Sequence, residues 1–142
     1  MTNKTKNIFA VSLIAVMVLC CSACAKKISF QSSSVVPAAR GTVKITRDNN
    51  KNYVIKVQLL NLAESNRLQP PKSTYVVWME SDATNIKNIG QIKSDVNFLA
   101  KKLKASFETV SAVKPTRIFI TAEDDPSVQY PGSQIVISTA GI

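Results

Sequence analysis

The spacing of apolar residues changes character along the chain. Residues 1–7 are polar and carry Lys4 and Lys6. An uncharged apolar run follows from Ile8 to Leu19. From residue 41 the period becomes two. In "GTVKITR" Val43 and Ile45 fall on one face, and Thr42, Lys44 and Thr46 on the other. "DNNKN" (48–52) is a cluster of turn formers. "YVIKVQLLNL" (53–62) then places Tyr53, Ile55, Val57 and Leu59 on one face. Two alternating runs around a short Asp/Asn turn predict a β-hairpin.

Residues 63–72 form a loop, because Pro70 and Pro71 cannot sit inside a ladder. "STYVVWMES" (73–81) is apolar on both faces and predicts a central strand covered on both sides, with Trp78 packed between two sheets. Residues 85–93 make a weaker strand in which Gly90 marks a bulge or a close approach. Over 95–110, Val96, Leu99, Leu103, Phe107 and Val110 have helical spacing, while Leu103, Ala105, Phe107 and Thr109 alternate as in a strand. The β surroundings favour a loop to about residue 100 and a strand over 101–110. Further strands are expected at 116–122 and 134–139, with a Pro131-Gly132 turn between them. The result is an all-β protein, an antiparallel immunoglobulin-like β-sandwich of seven to eight short strands.

The N-terminus does not fit that pattern. A basic start, an apolar run too short for about 20 membrane-spanning residues, and then small residues predict a cleaved secretory signal helix. All three cysteines lie here, in "LCCSAC" (19–24). Cys21, Ser22, Ala23 and Cys24 resemble the lipobox of bacterial lipoproteins, with Cys21 where leucine is usual. Frames ending on Cys20 or Cys21 fit its small-residue requirement less well. The resemblance implies that Cys24 becomes the first mature residue and carries lipid (palmitate or a similar acyl chain) on its sulfur. Lys26 and Lys27 would then lie beside anionic headgroups. The expected organisation is a signal peptide over 1–23, a flexible tether over 24–33 opening onto a strand at 34–36, and a domain over 34–142.

Loss of Lys4 and Lys6 with the leader lowers the formal net charge from +9 to +7. The remaining charges are scattered and lack the interleaved aromatics of a nucleic-acid surface, so no nucleic-acid partner is expected. The chain has no histidine and its last cysteine would be acylated. That removes Cys–His and Ser–His machinery and the commonest zinc ligands, and no cofactor is expected.

The dense acidic cluster "AEDDP" supplies Glu123, Asp124 and Asp125, oxygen donors that could face a Ca²⁺ ion, although the alternating spacing of a Ca²⁺ loop is missing. The same three side chains also fit a solvated strand end. Tyr130 in "YPGSQ" is a candidate contact at a loop tip, or else a turn with a buried ring. "NLAESNRLQPP" (61–71) is a candidate recognition loop on a rigid scaffold.

Residues 75–138, "YVVWME…IGQIK…LKASFETV…KPTRIFITAEDDPSVQYPGSQIVIS", resemble small bacterial lipoproteins with a β-sandwich domain. They are also loosely similar to the extracytoplasmic domain of anti-sigma-K-type regulators. The resemblance implies a lipid-anchored, non-enzymatic protein of the cell envelope, on the outer membrane facing the periplasm. Such a monomeric domain would bind or scaffold an envelope protein or polymer. The alternative is an extracytoplasmic regulatory or sensor domain related to anti-sigma factors.

Overall fold

A computed structural model describes residues 25–82, 84–92 and 104–142. The expected signal helix and the helix-or-strand ambiguity over 95–103 lie outside these residues. Among the described residues eight strands occur in chain order: β1 Lys26–Ser29, β2 Arg40–Arg47, β3 Tyr53–Leu60, β4 Thr74–Asp82, β5 Asn85–Ile92, β6 Lys104–Ser111, β7 Arg117–Glu123 and β8 Ile135–Ser138. They form two antiparallel sheets, β1-β2-β3-β6 and β5-β4-β7-β8. β2-β3-β6 and β5-β4-β7-β8 follow the connectivity of the A-B-E and C′-C-F-G sheets of an immunoglobulin-type sandwich, with β1 added at the edge.

The period-two pattern builds the core. Val43, Ile45, Ile55, Val57 and Leu59 of the first sheet meet Tyr75, Val77, Met79, Ile118, Ile120 and Val136 of the second in one buried cluster. The β2–β3 hairpin has the expected turn. The Asp48 carboxylate accepts from the backbone N–H of Asn50 (2.8 Å) and Asn52 (2.9 Å), and Lys51 takes the left-handed conformation at φ 65°.

Gly90 is the close approach that its place in β5 suggests. The β4–β5 register shifts beside it, its φ is +138°, and a Cβ there would lie 2.7 Å from Phe107 Cε2 on β6. Bare backbone therefore lets the open edges of the two sheets meet.

Two expectations are corrected. Residues 26–29 are not a tether but strand β1, paired with β2 from Lys26↔Ile45 to Ser29↔Thr42, whereas residues 34–36 are a bend. Phe30 is buried and bridges Thr139, which continues the pairing across to the second sheet. A four-residue polar edge strand has little hydrophobic signal of its own, so the tether-like composition concealed it. Trp78 does not pack between the sheets. It lies on the outer face of the second sheet with Val76 and Phe119, in a separate cluster covered by Val128. β4 is apolar on both faces, as expected, but alternation alone does not say which face is the interior. Tyr75, Val77 and Met79 take the interior, and the β7–β8 connection folds over the rest.

Candidate binding cleft

Strand direction sorts the connections between the two ends of the sandwich. The β2–β3 and β4–β5 hairpins, the β6–β7 loop and the start of β1 lie at one end. The β1–β2, β3–β4 and β7–β8 connections lie at the other. At this second end the three connections surround an open cleft of about 1210 Å³. Val35, Pro37 and Ala38 form one wall, Arg67, Leu68 and Pro70 a second, and Gly132, Ser133 and Gln134 a third, with Ala122 and Glu123 at the base.

Each wall is held by identifiable bonds. Ser33 Oγ donates to the Val136 carbonyl and accepts from Val36 N–H at 2.8 Å, tying the β1–β2 connection to β8. A single 3-10 turn, Ser65–Arg67, shapes the β3–β4 connection, and the Tyr75 hydroxyl donates to the Ala63 carbonyl at 2.8 Å. Burial pushes the Tyr75 phenol up to about 12. Leu68 is buried and anchors this loop to the core.

The third wall depends on a polar relay beneath it. Trp78 Nε1–H donates to Thr121 Oγ1 at 2.7 Å, and the Thr121 hydroxyl donates to Glu123 Oε1 at 2.5 Å. The same carboxylate oxygen accepts from Gly132 N–H at 2.7 Å. A Cβ on Gly132 would lie 2.8 Å from Glu123 Oε2, so a larger residue there would have to displace the Glu123 carboxylate. Trp78 and Thr121 are fully buried and Glu123 nearly so. The β7–β8 connection is pinned again on its far side, where Asn88 Nδ2 donates to the carbonyls of Pro126 (2.9 Å) and Val128 (3.0 Å).

The acidic cluster is therefore dispersed. Glu123 is a buried fastener. Asp124 pairs with Lys72 Nζ at 2.7 Å and joins two walls. Asp125 turns away to accept from Ser127 Oγ (2.6 Å) and Ser127 N–H (2.8 Å), which together hold its carboxyl below the usual range. Tyr130 is 85% exposed at the tip of the same connection and can serve as a contact residue.

The lining offers Arg67, Lys72, small apolar groups and backbone amides. Among the described residues Gln134 Oε1, beside the cleft, is buried without a hydrogen-bond partner. Among the described residues no three metal-ligating side chains come together. Sequence reasoning named residues 61–71 and 130–134 as separate candidate loops. It missed that they face one another, that Ser34–Ala38 completes the rim, and that Glu123 works beneath the surface. No family model, no curated protein and no solved structure matches this chain.

Proposed function

We propose that this protein is a lipid-anchored, non-catalytic binding protein of the bacterial cell envelope, held to the membrane through Cys24 and taking its ligand in the cleft between the β1–β2, β3–β4 and β7–β8 connections. The observation that carries the reading is the polarity of the sandwich. β1 enters at Lys26, two residues after Cys24, at the end opposite the cleft. A lipid at Cys24 thus leaves the three converging loops pointing away from the attachment point. The immunoglobulin-type arrangement, in which loops gather at one end of a rigid sandwich, suits recognition. Anchoring through two or more acyl chains is durable, at about 0.8 kcal/mol per buried methylene.

Two measurements test this. Cells growing on labelled palmitate should label the wild type and Cys20→Ser but not Cys24→Ser; label retained in Cys24→Ser refutes the anchor. Partners crosslinked to the acylated protein in envelope fractions should be lost in Arg67→Glu, which leaves the fold intact because the exposed Arg67 side chain, among the described residues, pairs with the neighbouring Glu64 alone, at 3.1 Å. A crosslinking pattern unchanged by Arg67→Glu refutes the cleft.

A further inference from the structure

Lys27 of β1, Lys44 of β2, Lys56 of β3 and Glu108 of β6 stand directly opposite one another across all four strands of the first sheet. All four are exposed and on the outer face. Like charges placed directly opposite weaken a ladder. Glu108 relieves only Lys56, at 3.0 Å, and among the described residues neither Lys27 nor Lys44 has an ion-pair partner. One end of the same face adds Arg40 and Lys104, which flank Leu60. Between the two rows lie Ser29, Thr42, Gln58 and Ser106, and on the far side of the lysine row the same face carries Thr46, Val54 and the exposed Val110. The acids Glu80, Glu123, Asp124 and Asp125 belong to the second sheet and its β7–β8 connection. That side also carries Arg117, paired with Glu80 at 3.6 Å, Lys72, paired with Asp124 at 2.7 Å, and the exposed Lys87.

We infer that the outer face of the first sheet is a membrane-docking surface: it lies against anionic lipid headgroups, which neutralise the Lys27–Lys44–Lys56 row. The inference rests on the lipid anchor proposed at Cys24. Lys27 follows Cys24 by three residues, a reach of at most roughly 10 Å. That is about one Debye length at moderate salt, so an anchored chain cannot hold this edge outside the surface field. Each cation brought to an anionic surface strengthens partition about fivefold.

The test uses the acylated full chain in vesicles of phosphatidylcholine, with and without phosphatidylglycerol. Flotation reports the anchor, and amine-reactive labelling read by mass spectrometry reports the face. The expected result is flotation in both, with Lys27, Lys44 and Lys56 losing label in the anionic vesicles alone and regaining it in high salt. Lys87 of β5, on the other sheet, serves as the reference, and K27E/K44E should abolish the difference. Flotation with equal labelling in both lipids overturns the docking face while leaving the anchor. Failure to float overturns both. Protection by soluble dextran sulfate, without protection by anionic vesicles, overturns the membrane in favour of a polyanion.

Discussion

Replacing Thr121 by valine tests whether the relay under the cleft is what the geometry suggests. Valine keeps the shape and removes one oxygen. Trp78 Nε1, fully buried, then loses its acceptor, and Glu123 loses one of its two donors while keeping Gly132 N–H. Stranding a buried donor costs about 1–3 kcal/mol, and a hydrogen bond to a charged group contributes about 1.5–3. The two losses share one hydroxyl and do not simply add, so the expected cost is about 3 kcal/mol. At about 4 °C per kcal/mol for a domain of this size, the midpoint should fall by roughly 12 °C. The assay is built into the chain. Trp78 is its only tryptophan, and its fluorescence should redden as the buried ring meets water. Thr121→Ser retains the hydroxyl and deletes one methyl, which costs about 1 kcal/mol. A Thr121→Val midpoint within about 2 °C of wild type, or a Thr121→Ser loss as large as that of Thr121→Val, would refute the relay and leave only packing.

Two other outcomes follow from local geometry. Gly90→Ala puts a methyl 2.7 Å from the Phe107 ring at a φ of +138°, and should cost about 2–3 kcal/mol in urea unfolding; a wild-type midpoint would mean that β5 and β6 are not in contact there. The Tyr75 phenol, raised by burial from about 10 to about 12, favours the folded state fully below pH 10 and loses that contribution as pH rises toward 12. Tyr75→Phe, which loses its bond to the Ala63 carbonyl, should be less stable at neutral pH and show a shallower alkaline decline; an unchanged decline would assign it to other groups.

What the sequence revealed and what it concealed divide along one line. Val43, Ile45, Ile55, Val57 and Leu59 announced their strands because period-two alternation with one buried face is a strong local signal. Gly90 was legible as a bulge because glycine inside a strand has few other uses. β1 was hidden: Lys26, Lys27 and Ser29 carry no pattern, and the strand exists through its partner β2. The outer placement of Trp78 was hidden because it depends on residues 124–130 folding back, a long-range event. For the same reason the acidic run looked like one site. Chain proximity joined Glu123, Asp124 and Asp125, whereas the folded chain sends them to Thr121, Lys72 and Ser127. The cleft draws on residues from Ser34 to Ile135, and no local motif encodes such a meeting.

The bridge between Phe30 and Thr139 joins segments from opposite ends of the described chain. Ser33 and Val136, 103 residues apart, are bonded along the same seam, and Gln31 N–H donates to the Ser138 carbonyl at 2.8 Å. Loops of that length close late, after hairpins such as β2–β3 have formed. Residues 30–33, which follow β1, therefore find their partners only once residues 136–139 are in place. A chain halted before Ile135 would leave an edge of β7 without its neighbour and the apolar floor beneath Val136 and Ile137 uncovered, and exposed edges and apolar surface of that kind favour aggregation. The seam makes the arrival of β8 the event that joins the segment after β1 to the second sheet.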